Sequence, residues 1–251
     1  MTIHLFDLTG KRALITGSSQ GIGLALARGL AAAGAEIILN GRYPAKLEAA
    51  AQIVGTSHTL AFDATDHAAV RAAIDTFEAE TGAIDILVNN AGMTHRAPLE
   101  DFPADAFDQL LKTNISSVFN VGQAVARHMI ARGAGKIINI ASVQTALARP
   151  CIAPYTATKG AVGNLTKGMA TDWARHGLQC NAIAPGYFDT PLNAALIADP
   201  AFSDWLAKRT PAGRWGKLEE LVGACIFLSS DASSFVNGHV LYVDGGMTAS
   251  L

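Results

Sequence analysis

Short apolar, β-branched runs alternate with longer alanine-rich segments along this chain, and this alternation is the feature that most constrains its fold. The first run, Arg12–Thr16, has the composition of a buried strand, and Ile22, Leu26 and Leu30 then recur at helical spacing. Further strands are predicted at 36–40, 59–62, 84–88, 135–140, 179–183 and 239–243, and helices at 21–33, 44–54, 66–81, 104–132, 154–176 and 219–229. Strand and helix alternating in this way predict a parallel sheet with helices on both faces, in one α/β domain spanning residues 1–251.

The composition of the chain limits the kinds of partner that it is expected to bind. The formal charge is −2, from 19 basic and 21 acidic residues, so no basic face for nucleic acid or anionic lipid is expected. We expect no targeting segment, and no apolar run reaches the roughly 18 residues that span a bilayer. Cys151, Cys180 and Cys225 are predicted to be reduced core thiols in a cytoplasmic protein, and neither they nor the histidines have metal-ligand spacing. We expect a small-molecule partner, another copy of the chain, and no metal.

The stretch from Gly186 to Arg214 interrupts the pattern. It contains Pro191, Pro200 and Pro211 together with several aromatic residues, and we predict it to be irregular. Long segments over a sheet edge often act as lids, so residues 187–214 are assigned as a lid segment. A surface loop without such a role is the alternative.

A glycine-rich turn separates the first strand from the first helix. Glycines allow close approach of the backbone to a pyrophosphate, and the helix N-terminus offers free N–H groups and a partial positive charge. A plain glycine-rich turn is the alternative, although the strand and helix on either side favour a nucleotide. The residues predicted to contact it here are Gly17, Ser19, Gln20, Gly21, Ile22 and Gly23.

The end of the second strand bears on the choice of cofactor. A carboxylate there usually holds the ribose 2′-hydroxyl of NAD, whereas arginine accommodates the 2′-phosphate of NADP. This chain has Asn40, Gly41 and Arg42, which favours NADP over NAD. Arg42 as a solvated loop charge is the alternative.

Two further strand ends are expected at the same edge of the sheet. Asp63 and Ala64 follow the third strand, and Asn90, Ala91 and Gly92 follow the fourth. Ligands of open α/β sheets bind at the carboxyl ends of the strands, so these residues are predicted to contact the cofactor. Each residue taken alone is equally compatible with an ordinary turn or cap.

Tyr155 and Lys159 lie four residues apart at the start of a predicted helix, and therefore on the same face. A free phenol has a pKa of about 10, so a tyrosine acting as a base near neutral pH needs a nearby cation. Lys159, together with the positive charge of an oxidised nicotinamide, is predicted to lower the pKa of Tyr155. Ser142, at the end of the preceding strand, is placed to hydrogen-bond the reacting oxygen.

Taken together, these motifs resemble the short-chain dehydrogenase/reductase family over nearly the whole chain. The resemblance implies one Rossmann-type domain with a seven-stranded parallel sheet, catalysis by Asn114, Ser142, Tyr155 and Lys159, and an oxidoreductase acting on CH–OH groups. By the same resemblance, Asn114 holds a proton-relay water. Cofactor contacts are implied for Tyr155, Lys159, Pro185, Gly186 and Thr190. A homotetramer or homodimer built on helices 104–132 and 154–176 is also implied.

A narrower resemblance is to the gluconate 5-dehydrogenases, also called 5-keto-gluconate reductases, in stretches such as 154–159, 165–172, 208–216 and 235–246. It implies a sugar-acid substrate. His95, Thr145 and Ala146 depart from that pattern. Residues predicted to bind substrate are Arg96, Ser142, Gln144, Arg149 and Tyr187. Loop ion pairs for the two arginines, a different polyol, ketone or 3-oxoacyl thioester substrate, and a non-catalytic NADP sensor are the alternatives.

Overall fold

Parallel strands form the centre of the molecule in this computed structural model, which describes residues 4–56 and 58–251. The sheet runs in the order β3-β2-β1-β4-β5-β6-β7, and every neighbouring pair is parallel. The predicted seven-stranded α/β fold is therefore confirmed. The strands are β1 (Arg12–Ile15), β2 (Glu36–Gly41), β3 (His58–Ala61), β4 (Ile86–Asn89), β5 (Gly135–Ile140), β6 (Leu178–Pro185) and β7 (Val240–Val243).

Both faces of the sheet are covered, which explains why its central strands are continuous apolar runs rather than alternating ones. Successive side chains of a strand point to opposite faces. In β1, Leu14 therefore belongs to one hydrophobic cluster, whereas Ala13 and Ile15 belong to the other. All three are fully buried.

The helices are divided between the two faces. Val70, Val121 and Val162 bring α3, α5 and α6 onto one side, and Leu26 and Leu47 bring α1 and α2 onto the other, together with α9. The helices of the described residues are α1 (Gly21–Ala32), α2 (Pro44–Val54), α3 (His67–Glu80), α4 (Ala104–Leu111), α5 (Ser117–Arg132), α6 (Ala153–Trp173), α7 (Ala194–Ile197), α8 (Pro200–Arg209) and α9 (Val222–Ser229).

The long helix predicted over 104–132 is divided in the structure. A π-helical turn, Lys112–Ser116, separates α4 from α5. Such a turn widens the helix by one residue and is often found at functional sites. Asn114, a predicted catalytic residue, lies in this turn and is buried.

The segment predicted to be irregular contains two helices, so that part of the prediction is wrong. Pro200 occupies the first turn of α8, where its missing N–H is tolerated. The carboxylate of Asp199 caps the helix by accepting hydrogen bonds from the N–H groups of Ala201 (3.0 Å) and Phe202 (3.3 Å). The proline therefore starts a helix rather than preventing one.

The cysteines agree only in part with the prediction of core thiols. Cys180 and Cys225 are buried, whereas Cys151 is exposed in a loop with a φ of 65°. All three are free. Within residues 4–56 and 58–251, no helix has the length and apolarity required to cross a membrane, and no group of three or more His, Cys, Asp or Glu residues is arranged to hold a metal ion.

Candidate active site

A cavity of about 710 Å³ opens at the carboxyl edge of the sheet. It lies over β1 and β4, where the strand order reverses direction, and open α/β sheets bind ligands at this point. Of the predicted site residues, all but Gly23 and Asn114 line it. They are Gly17, Ser19, Gln20, Gly21, Ile22, Arg42, Asp63, Ala64, Asn90, Ala91, Gly92, Arg96, Ser142, Gln144, Arg149, Tyr155, Lys159, Pro185, Gly186, Tyr187 and Thr190.

The glycine-rich turn is held against the loop after β4. The Asn90 side-chain amide donates hydrogen bonds to the carbonyls of Thr16 (2.9 Å) and Gly17 (3.1 Å). Gly17 has a φ of +61°, and a Cβ there would lie 3.0 Å from the Cα of Ala91. Gly23 faces the turn rather than the cavity, and a Cβ on it would lie 2.5 Å from Nδ2 of Asn90. Its glycine is therefore required by packing.

These features fit a dinucleotide. Helix α1 begins at the cavity without a side-chain cap, since Gln20 makes no capping hydrogen bond, and its first N–H groups are available to an anion. At the other end of the cavity, the buried hydroxyl of Thr190 has no hydrogen-bond partner in the described part of the chain. A buried polar atom of this kind requires a partner, which a ligand amide supplies.

The end of the cavity beside β2 and β3 carries two cationic side chains. Asn40 is buried in place of an acid, and its amide donates to the Leu60 carbonyl (2.9 Å). The Arg42 guanidinium lies 3.9 Å from the carboxylate of Asp63 and is 60% exposed, so this ion pair holds it weakly. Lys46, which the sequence analysis missed, also lines the cavity, and its Nζ lies 5.4 Å from the ring centroid of Tyr43. Pro44 is typical of a first helical turn, so the sequence could have placed Lys46 in the first turn of α2, beside the cavity.

Tyr155 and Lys159 lie on one face of α6, as predicted. The ammonium of Lys159 is 5.7 Å from the centroid of the Tyr155 ring and donates a hydrogen bond to the Ile140 carbonyl at 2.7 Å. The strand that ends at Ile140 therefore holds the lysine in place. Lys159 is buried, as is Ser142, which lies just beyond the same strand.

The pKa of Tyr155 differs from the expectation. Burial raises it to about 12, and Tyr187 raises it further, while the Ser142 hydroxyl and Arg96 act in the opposite direction. Lys159 is not among the groups that act on this pKa, and burial lowers the pKa of Lys159 itself to about 8. The predicted lowering also involves the oxidised nicotinamide, so it stays a prediction; in the chain without a ligand the pKa of Tyr155 is about 12. Tyr155 is therefore protonated at neutral pH.

The side chain of Asn114 connects the π-helical turn to the start of α6, which carries Tyr155 and Lys159. Its side-chain amide donates to the Met93 carbonyl and to the hydroxyl of Thr158, both at 3.0 Å, and its oxygen accepts from the Met93 N–H at 2.8 Å. The Thr158 hydroxyl donates to the Tyr155 carbonyl at 2.7 Å. Asn114 therefore contacts protein groups and does not line the cavity.

Two arginines lie at the end of the cavity that holds Tyr155. Arg96 and Arg149 both line the cavity, and neither forms a salt bridge in the described residues. Burial lowers the pKa of Arg96, and the charge of Arg149 lowers it further, although arginine stays charged at neutral pH. The charge of Arg149 thus acts on Arg96, and the charges of both arginines act on Tyr187. This arrangement favours an anionic ligand.

Gln144 is oriented by its neighbours. Its N–H donates to the Ser142 hydroxyl at 3.2 Å, and its side-chain oxygen accepts from Thr156 at 3.3 Å. The three departures from the gluconate 5-dehydrogenase pattern, His95, Thr145 and Ala146, do not line the cavity. Thr145 instead hydrogen-bonds the Lys159 carbonyl at 3.2 Å, and His95 packs edge-on against a phenylalanine.

Comparison with known proteins agrees with this geometry. The family model described as enoyl-(acyl carrier protein) reductase matches residues 17–248. The chain belongs to the short-chain dehydrogenase/reductase family. The family predicted from the motifs is therefore confirmed.

Relatives within the short-chain dehydrogenase/reductase family include enzymes of sugar acids. The chain is 63% identical to gluconate 5-dehydrogenase of Gluconobacter oxydans over 98% of each chain. It is 50% identical to 5-keto-D-gluconate 5-reductase of Escherichia coli, over 98% of this chain and 99% of that one. The crystal structure of a gluconate 5-dehydrogenase from Burkholderia cenocepacia in complex with NADP and tartrate matches with 62% identity and a TM-score of 0.97, covering all of both chains.

Proposed function

We propose that this protein is an NADP-dependent oxidoreductase that interconverts D-gluconate and 5-keto-D-gluconate, or a closely related sugar acid. The pair Arg96 and Arg149 at the cavity that holds Tyr155 carries the proposal, since it supplies the cations that a carboxylate requires. Full-length identity of 63% to a gluconate 5-dehydrogenase supports the same substrate. The departures at His95, Thr145 and Ala146 lie off the cavity, so they do not count against a sugar acid.

The residues that we assign to the cofactor are spread along the whole length of the cavity. We assign the pyrophosphate to the glycine-rich turn and the start of α1, and the 2′-phosphate to Arg42. Asp63 and Ala64 line the adenine end, while Asn90, Ala91 and Gly92 lie between the two ends. Pro185, Gly186 and Thr190 are assigned to the nicotinamide end. When bound, NADP supplies the hydride acceptor or donor.

The chain itself supplies the proton chemistry. In ketone reduction, the protonated phenol of Tyr155 donates its proton to the carbonyl oxygen, and Ser142 hydrogen-bonds the same oxygen as negative charge develops. Lys159, still charged below its pKa of about 8, stabilises the phenolate that remains. Asn114 is assigned to the proton relay toward Lys159. We further assign residues 187–214 as a lid that excludes water from these groups.

Arg42 is predicted to discriminate between the two nicotinamide cofactors. Arg42→Ala is expected to weaken NADPH binding about 10- to 100-fold and to leave NADH binding nearly unchanged, because only NADPH loses a charge-assisted phosphate contact. Fluorescence titration of both cofactors measures this. Arg28→Ala, an exposed arginine of α1 outside the cavity, is the matched control. An equal loss for both cofactors would show that Arg42 does not bind the phosphate.

Arg96 is predicted to set the preference for an acid. L-Sorbose carries CH₂OH where 5-keto-D-gluconate carries its carboxylate, so the two ketones isolate the effect of charge. Arg96→Ala is expected to lower kcat/KM for the acid, relative to that for L-sorbose, by about 2 kcal/mol or roughly 30-fold. Comparable wild-type efficiency on both ketones would remove the sugar-acid assignment and leave the enzyme class in place.

We also propose a homotetramer or homodimer formed through the helices α4 to α6. Phe107 and Phe119 support it, since these large apolar side chains are 40% and 45% exposed on two of these helices. Light scattering of the purified protein at micromolar concentration is expected to give a mass two or four times that of the chain. A monomeric mass under those conditions would contradict the proposal.

A cytoplasmic location is part of the same proposal. All three cysteines are free, and burial raises the pKa of the Cys180 and Cys225 thiols to about 12. Thiols in this state suit a reducing compartment, since oxidising compartments favour disulfides.

A further inference from the structure

Arg149 is held by an aromatic ring instead of a carboxylate. Its Cζ lies 5.4 Å from the ring centroid of Phe202. Its Nε is buried and has no hydrogen-bond partner among the described residues. An arginine in this setting depends on the face of the ring for its position, because the negative face of an aromatic ring attracts a cation. The guanidinium meanwhile remains available to the cavity that Arg149 lines.

Phe202 is itself firmly placed. It belongs to α8 and packs against three other aromatic rings, with centroids 5.5 Å from Tyr187, 5.2 Å from Trp205 and 6.1 Å from Trp215. The indole N–H of Trp215 donates to the Ser203 hydroxyl at 3.2 Å, which fixes the neighbouring residue of α8. Aromatic clusters with these separations hold their rings in defined orientations. The ring beside Arg149 is therefore held by its contacts with these three rings.

On its other side, Arg149 meets the active site. Its charge opposes the rise in the pKa of Tyr187 that burial causes, and the charge of Arg96 acts in the same direction. Tyr187 in turn raises the pKa of Tyr155, which places these four side chains around one end of the cavity. Two guanidinium groups held close together in a partly buried site repel each other unless an anion lies between them.

We propose that Phe202 positions Arg149 so that Arg149 and Arg96 together bind the substrate carboxylate. Helix α8 thereby carries the specificity for acids, through a ring that itself does not touch the substrate. Phe202 is a positioning residue in this scheme, and Arg149 a binding residue. The inference rests on the proposed sugar-acid function and adds to it the residue that holds the second arginine in place.

The first test separates the π face of Phe202 from its packing volume. Phe202→Leu retains apolar packing and removes the aromatic face, whereas Phe202→Trp retains the face. With NADPH as cofactor, Phe202→Leu is expected to lower the ratio of kcat/KM for 5-keto-D-gluconate to that for L-sorbose about 5- to 10-fold, mainly through KM for the acid. Phe202→Trp should restore most of the ratio. Phe235→Leu, at an exposed phenylalanine outside the cavity, is the matched control.

The second test shows whether Phe202 acts through Arg149. Arg149→Gln is expected to lower the same ratio by at least as much as Phe202→Leu does. In the Arg149→Gln background, Phe202→Leu should cause no further loss, because the group that the ring holds is already absent. Equal losses on both ketones, or independent losses that add in the double variant, would overturn the positioning role.

A binding measurement keeps this inference separate from the proposed reaction. Calorimetric titration of D-gluconate into the NADPH-loaded protein reports carboxylate binding without turnover. Weaker binding in Phe202→Leu and Arg149→Gln, with recovery in Phe202→Trp, supports the inference even if wild type does not reduce 5-keto-D-gluconate, in which case the proposed function fails alone. Wild type that reduces the acid, together with Phe202→Leu that binds gluconate normally, overturns the inference alone.

Discussion

Tyr155→Phe is expected to lower kcat/KM by about 10² to 10⁴ in both directions of the reaction, the range typical of a lost general acid or base. The substitution removes a single oxygen. The half-buried ring stays in place on α6, and Lys159 remains bonded to the Ile140 carbonyl. Because burial raises the pKa of the phenol to about 12, the wild-type enzyme holds the proton ready for ketone reduction at neutral pH. In the variant, no group takes over that position.

Cofactor binding separates this loss from misfolding. NADPH affinity of Tyr155→Phe, measured by fluorescence titration, should lie within a few-fold of wild type, since the phenol contributes at most one hydrogen bond to it. Tyr242→Phe is the matched control, because Tyr242 packs in a hydrophobic cluster and does not line the cavity. Turnover retained in Tyr155→Phe would remove the catalytic assignment, and a comparable loss in Tyr242→Phe would attribute the effect to packing.

Much of the fold was predictable from sequence because the central strands are buried on both faces. Such strands are nearly continuous apolar runs, as in Ile86–Val88 of β4, and glycines follow β1 where the chain turns closely into α1. Parallel strands end at one edge, so residues as far apart as Arg42, Asn90 and Tyr155 could be placed together before any distance was known. All three line one cavity. The site residues could therefore be predicted from the order and direction of the strands, rather than from local helix or strand propensity.

The features that escaped prediction depend on packing between distant segments. Periodicity gave no sign of the π-helical turn at Asn114, because buried residues continue at helical spacing through it, as at Leu110, Asn114 and Val118. Pro200 suggested an irregular segment, although its cap at Asp199 shows that it begins a helix. The support of Arg149 by Phe202 joins residues 53 positions apart. Burial raises the pKa of Tyr155, and this burial cannot be inferred from the four-residue spacing between Tyr155 and Lys159.

The second large effect is expected from a single methyl group added at Gly23. A Cβ at this residue would lie 2.6 Å from the carbonyl oxygen of Gly17 and 2.9 Å from the Cα of Ser18, as well as 2.5 Å from the Asn90 amide. Two of these atoms are backbone, so no side-chain rotation relieves the overlap. The first turn of α1 must instead move away from the glycine-rich turn, and the N–H groups assigned to the pyrophosphate move with it.

Gly23→Ala is therefore expected to weaken NADP binding about 100-fold. Overpacking of this kind costs about 1–3 kcal/mol, and each 1.4 kcal/mol is tenfold in affinity. Gly223→Ala, in α9, is the matched control, since a Cβ there has no atom within 4 Å. It should bind NADP normally and unfold slightly less readily, because alanine stabilises a helix by about 0.5–1 kcal/mol relative to glycine. Unchanged NADP affinity in Gly23→Ala would mean that α1 can shift without disturbing the phosphate contacts, and the cradle assigned to the glycine-rich turn would have to be placed elsewhere.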